Sequence, residues 1–134
     1  MAEKILLEIV TPEKKVLSET VDIVVAPGEL GEFGVLPGHI PFLCKLKIGE
    51  LRYRVGTVSQ HVAIMGGYAE VLNDHVTILA TAAEAATEID VVRAKAARER
   101  AERRIADTRD KLEFTRAQAA LQRAMARLKV AEKQ

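Results

Sequence analysis

Tryptophan is absent from this chain, tyrosine occurs twice and cysteine once. A single thiol, Cys44, rules out an internal disulfide, and its apolar neighbours in PFLCKL predict a buried, inert side chain in a reducing compartment. No stretch approaches the ~18 uninterrupted apolar residues of a membrane span. The opening MAEKILLEIV shows neither an apolar h-region nor an Arg/Ser-rich amphipathic stretch, so neither a signal nor a transit peptide is expected. Sequence signatures of catalysis are missing as well. There is no GxSxG, no P-loop lysine motif and no Gly-rich dinucleotide fingerprint. His39, His61 and His75 have no metal-ligand spacing and no cysteine partner. The chain therefore reads as a non-enzyme without catalytic residues, metal ligands or an obligatory cofactor.

The most informative absence is regional. Beyond Thr87 there is no glycine or proline, and Phe114 is the only aromatic residue. Charge divides at the same point. Residues 1–87 carry 7 Lys+Arg against 11 Asp+Glu, and residues 88–134 carry 13 against 8, so an acidic module precedes a basic one.

The acidic module, residues 1–86, is predicted to be β structure. KILLEIV, SETVDIVVAP, FLCKLKI, LRYRV, QHVAIMGG, YAEVL and HVTILAT are rich in Val, Ile, Leu and Thr, and turn residues separate them. Short connections favour an antiparallel sandwich or barrel over a parallel sheet, which needs crossover helices. Asn73-Asp74 between two such runs is a hairpin signal. GELGEFGVLPGHIPF, Gly28 to Phe42, is too dense in glycine and proline for a strand and too apolar for a solvated loop. Either it folds back over the sandwich edge or its apolar residues form a docking surface.

The basic module, residues 87–134, is predicted to be helical, since alanine recurs throughout it. Thr87 and Asp90 resemble a capping box. Val91, Ala94, Ala101 and Ile105 fall near one face. The pattern lapses around Asp107–Lys111 and resumes with Phe114, Ala117, Leu121, Ala124, Leu128 and Ala131. Two helices joined by a short polar link make an αα-hairpin. The fold class is thus α+β, an N-terminal antiparallel β-sandwich followed by a C-terminal two-helix antiparallel hairpin. At ~25 cal/mol per Å² the alanine seam gains little over the entropy of ordering the helices, so the hairpin is marginal and able to open or detach.

Arg93, Arg100 and Arg104 are spaced by seven and four, as are Arg116, Arg123 and Arg127, so each set lines one stripe. A solvated, charge-laced helix face explains that spacing. An anion clasp explains it too, because Arg123 and Arg127 have no acid within four positions and can fork onto phosphate or carboxylate oxygens. A nucleic-acid-binding hairpin lacks interleaved aromatics, and the basic module still carries eight acids. A ligand- or carbohydrate-binding sandwich would have only Tyr53 and Tyr68 for stacking.

FGVLPGHIPFLCKLKIGELR, the GGYAEVLNDHVTILA strand pair, and EIDVVRAKAARERAERR with LQRAMARL resemble the ε subunits of bacterial F-type ATP synthases, in the same order and from end to end. The resemblance implies a ten-strand sandwich that binds the γ subunit and rests on the c-subunit ring. It implies a helical hairpin able to extend toward the catalytic α and β subunits and inhibit ATP hydrolysis. The resulting protein would be a peripheral, non-catalytic stalk subunit of a proton- or sodium-driven rotary machine. It would lie on the cytoplasmic face of the bacterial inner membrane, with no nucleic-acid partner and no insertion into the bilayer. Phe33, Val35, Leu36, Pro37, His39 and Ile40 would then face the rotor. Some relatives hold ATP, as a regulatory ligand, on the folded hairpin through an I-D-x-x-R-A motif, here Ile89-Asp90-Val91-Val92-Arg93-Ala94. Glu84, Arg100, Arg123 and Arg127 match the additional positions of that site. Val92 stands where some relatives have leucine, which shortens a side chain without removing a polar contact.

Overall fold

The computed structural model describes residues 3–133; residues 1, 2 and 134 at the outer limits of the two expected modules lie outside it. Eight strands precede two long helices in chain order among the described residues. Strand β1 (Ile5–Val10) shows why the first run pairs as it does. Ile5, Leu7 and Ile9 are buried while Leu6, Glu8 and Val10 alternate outward, the two-residue period of a half-buried strand. β2 (Lys15–Val21) pairs antiparallel with β1, and β7 (His75–Ala80) pairs with it in parallel.

Four of the expected runs fuse into two strands. FLCKLKI and LRYRV are halves of β5 (Phe42–Val55), and QHVAIMGG and YAEVL are halves of β6 (Val58–Leu72). Together they form one long hairpin whose halves serve different layers. The second half of β6 pairs with β7 and the first half with β8 (Ala83–Ala85), while β3 (Ile23–Gly28) pairs with the later part of β5. The inward phase changes accordingly. Val62 and Ile64 face the core before the Gly66–Gly67 bend, and Ala69 and Val71 face it afterwards. Eight strands are therefore found where the resemblance implies ten, because two of them are each shared between both layers. Breaker residues mark bends inside these strands rather than their ends.

Two local expectations need correction. Gly31–Val35 is a strand, β4, antiparallel to β3. Its glycines sit where an edge strand tolerates them, and Gly31 at φ +138° makes the reversal from β3. Cys44 is half-buried rather than sealed in the core, and its thiol donates to the Lys45 carbonyl at 3.2 Å. The Asn73-Asp74 hairpin forms as expected, both residues taking positive φ between the paired Leu72 and His75.

The main core lies between the layers and contains Ile5, Leu7, Ile9, Val24, Leu51, Ile64 and Ile78. A second, smaller cluster on the outer face of β5 and β6 joins Ala63 and Met65 to Ala86, Ile89 and Val130. Helix α1 (Val91–Asp107) starts from Asp90, whose carboxylate accepts the Arg93 N–H at 3.0 Å. Asp90 is thus the N-cap itself, and Thr87 lies in the preceding single 3-10 turn, so the expected capping box does not form. Helix α2 (Lys111–Ala131) starts likewise from Asp110, which accepts from the Leu112 N–H at 2.9 Å. The helices meet along Ala94 and Ala101 on one side and Ala117 and Ala124 on the other. Residues of that size let the backbones approach closely but bury little area.

Carboxylates at the rim of the sandwich make it sensitive to acid. The Lys4 ammonium, helped by the Gly56 N–H, holds the Asp22 carboxyl below its usual range. Lys15 does the same for Glu8, and Arg52 for Glu32. A carboxyl with a depressed folded-state pKa contributes stability above its unfolded pKa and loses it as pH falls through the folded value. The melting temperature should therefore drop progressively below about pH 4, and Asp22→Asn should make that drop shallower. An identical slope in Asp22→Asn would show that the Asp22 network contributes nothing.

Candidate functional site

The clearest concavity lies between the two helices, beside the strand β8 that leads into them. It is a cleft of about 510 Å³, within the ~300–1,000 Å³ common for small-molecule sites. Its wall from α1 carries Arg93, Ala94 and Arg100, its wall from α2 carries Arg123 and Arg127, and Glu84 and Asp90 close the end nearest the sandwich. Residues separated in sequence by more than forty positions therefore converge on one cavity. Helical spacing brings this about: Arg93 and Arg100 share a face because seven residues make two turns, and Arg123 and Arg127 because four make one.

Ile89 is the exception among the candidate positions. It does not line the cleft; it is buried with Met65 and Val130 and pins the start of α1 to the sandwich. Its adjacency to Asp90 makes it an anchor rather than a contact. Five further positions line the cleft that the motif does not include, Ala101 of the helix seam among them. Glu88 and Arg104 add charge, and Ala97 and Ala120 add floor. The seven-and-four series reached Arg104, and alanine periodicity could have found the floor.

The electrostatics favour an anion. Five arginines line the cleft against three carboxylates. Arg127 is taken up by an ion pair with Glu84. Arg104 lies 3.5 Å from Glu113. Among the described residues, Arg93, Arg100 and Arg123 have no carboxylate partner, so three guanidinium groups face the cavity uncompensated. Asp90 uses one carboxylate oxygen, Oδ1, for the helix cap, and its other oxygen makes no hydrogen bond among the described residues. Uncompensated arginines beside a carboxylate oxygen suit a molecule with a phosphate end and a hydroxylated end. Arg116, the first of its stripe, does not line the cleft and pairs with Glu113 at 3.6 Å.

The second candidate surface divides. Val35 is fully buried in the core, because β4 alternates and Val35 takes an inward position, so it offers no docking surface. Phe33 is half-buried and meets Phe42 edge-on with ring centroids 5.1 Å apart. Leu36 and Ile40 are exposed, with Pro37 and His39 half-buried between them. The loop is held in place by the Gly38 N–H donating to Asp74 at 2.7 Å and by the His39 ring donating to the Ile40 carbonyl at 2.6 Å. A pinned loop with outward aliphatic residues is suited to contact another protein.

Comparison with known proteins agrees with this architecture. Residues 4–86 match the family described as ATP synthase, Delta/Epsilon chain, beta-sandwich domain. Residues 87–132 match ATP synthase, Delta/Epsilon chain, long alpha-helix domain. The chain is 82% identical over 133 residues to the ATP synthase epsilon chain of Syntrophobacter fumaroxidans, covering 99% of each. It is 55% identical over 130 residues to that of Nitratidesulfovibrio vulgaris, covering 97% of each. Its fold is similar to a chain in the structure of Euglena gracilis mitochondrial ATP synthase, OSCP/F1/c-ring, with a TM-score of 0.83 at 26% identity, over 96% of this chain and 81% of that one.

Proposed function

Because the chain belongs to the ATP synthase delta/epsilon family, we propose that it is the epsilon subunit of a rotary ATP synthase whose hairpin is a nucleotide-gated brake. The sandwich, residues 1–86, binds the γ subunit and rests on the c-subunit ring through the Leu36–Ile40 loop, coupling the ion-driven rotor to the catalytic head. The hairpin, residues 87–134, inhibits ATP hydrolysis when it leaves the sandwich and extends toward the α and β subunits. The subunit is peripheral to the cytoplasmic face of the membrane, and no described helix is long and apolar enough to cross it.

The observation that carries the gating is the convergence of Asp90, Arg93, Arg100, Arg123 and Arg127 on one cleft that exists only while the helices are paired. ATP fits its chemistry, the arginines holding phosphates and Asp90 a ribose hydroxyl. A ligand bound only to the paired form stabilises it by RT ln(1 + [L]/Kd), about 1.4 kcal/mol at ten times Kd, or roughly tenfold in population. Calorimetric titration of the isolated protein with ATP tests this directly. Saturable binding, weakened by Asp90→Ala and by Arg93→Ala, is the expected result. No heat at millimolar ATP would leave the helices as partner-facing rods.

A further inference from the structure

Both legs of the hairpin meet the sandwich at one small apolar patch. It lies on the outer face of β5 and β6, where Ile48 is opposite Met65 and Ala63 shares the Met65 face two positions earlier. Ile89, the residue before the N-cap of α1, is buried in this patch. So is Val130, one position from the end of α2. Val130 is fully buried, and every other buried residue of the two helices is an alanine. Ala126 precedes it by one turn on the same face, so a narrow stripe of α2 rests on the sandwich while Ala117 and Ala124 face α1.

The charges beside Val130 hold the helix weakly by comparison. Arg127 pairs with Glu84 of β8, and both side chains are about a third exposed. Lys129 is exposed and adds only a minor share to the attraction, led by Arg52, that keeps the Glu32 carboxyl of β4 below its usual range. Ion pairs open to water contribute little, so the apolar joint carries most of the docking. The same joint fixes both walls of the cleft. Asp90 and Arg93 follow Ile89 by one and four positions, and Arg127 and Arg123 precede Val130 by one and two turns. Val130 itself does not line the cleft.

We propose that Val130 is a plug seated in a socket of Ala63, Met65 and Ile89, and that this joint sets how firmly the hairpin is docked. Val130 is thereby a positioning residue for the nucleotide arginines, acting on them without touching the ligand. With the plug withdrawn, α2 keeps only solvent-screened charges to hold it on the sandwich. A cleft assembled in only a fraction of molecules has an apparent Kd raised by the inverse of that fraction. The joint rests on the hairpin being mobile, as proposed above, but uses residues outside the nucleotide cleft.

Energy transfer within the full chain reads the joint. One dye is attached through the exposed Ser59→Cys, four strand positions or about 13 Å from Ala63, in a Cys44→Ser background. The other is attached through the exposed Lys133→Cys, just beyond the plug. Val130→Ala should lower the docked-to-undocked ratio about tenfold, the effect of two buried methyl groups. Val130→Asp should lower it further, because an unpaired carboxylate would enter an apolar socket. Alanine is a better helix former than valine, so an effect confined to the helix would have the opposite sign. Met65→Ala should act like Val130→Ala, and the pair should add to less than the sum because both empty one socket. Met125→Ala, at a position 54% exposed on the same helix, should leave transfer unchanged. The main core does not include Val130, so the sandwich should melt as before in both Val130 variants. ATP should restore transfer in Val130→Ala, with a weaker apparent affinity than calorimetry gives for the parent chain. Unchanged transfer in both Val130 variants overturns the joint, and calorimetric ATP binding on the same proteins decides the gating separately. Transfer that falls in both variants and that ATP cannot raise again overturns the gating and leaves the joint standing.

Discussion

Gly67→Ala should destabilise the sandwich by about 4 kcal/mol or more in urea unfolding, enough to abolish folding in a domain of ordinary marginal stability. Gly67 has φ +128°, and a Cβ there would lie 2.0 Å from the Leu79 carbonyl oxygen and 2.9 Å from the Ala80 Cα. Both obstacles are backbone of the neighbouring strand, which cannot swing aside as a side chain would. The position is also where β6 passes from one layer to the other, so a local shift would displace the core contacts of Ala69 and Val71. Gly34→Ala is the control. Nothing is closer to its Cβ than the Val24 carbonyl at 4.0 Å and its φ is not positive, so it should cost less than about 0.5 kcal/mol. Equal effects of the two substitutions would refute the account of the bend.

Alanine at Arg123 should weaken ATP binding about thirtyfold, near 2 kcal/mol for a charge-assisted contact, and alanine at Arg127 by clearly less. The asymmetry follows from what each group does in the unliganded protein. Arg123 faces the cleft without a carboxylate partner, whereas Arg127 must share or surrender Glu84 before it can bind a phosphate. Calorimetry on the two single variants checks the order. Arg123→Ala combined with Arg127→Ala should also weaken inhibition of hydrolysis in the assembled enzyme, since the same guanidinium groups are available to acidic partners once the helices open. If that double variant loses nucleotide yet inhibits fully, the two functions do not share these residues.

Much of this site was legible in the sequence because helical spacing is regular. Once α1 and α2 were placed, seven-and-four intervals determined which arginines share a face, and the link near Asp107–Lys111 determined that the faces meet. Ile89 could not be placed that way. It precedes the helix, and its burial depends on the second cluster, whose partners Met65 and Val130 come from the middle and the far end of the chain. Ala126 and Val130 were missed for a related reason. Helix α2 has two buried faces, one toward α1 and one toward the sandwich, and a search for a single stripe finds only the first. Val35 shows the reverse error. Surrounded by glycine and proline it reads as loop, yet edge-strand pairing with Val24 turns it into the core. The close approach of Glu50 and His61 left no local signal at all, since the two lie on neighbouring strands in diagonal register.

The parallel pairing of β1 with β7 has a consequence for how the protein is made. β7 lies between β1 and β6, so the first strand emerging from the ribosome can join β2 but must await the seventh before its other edge is covered. Leu6 and His75 are 69 positions apart, a long closure that slows nucleation and keeps an apolar edge open during translation. The main core draws only on residues up to Ala83, so it can be complete while the hairpin is still being synthesised. The hairpin is thus fitted last, onto a finished sandwich, and a ribosome that stalls within the helices leaves a folded β module without its helical partner.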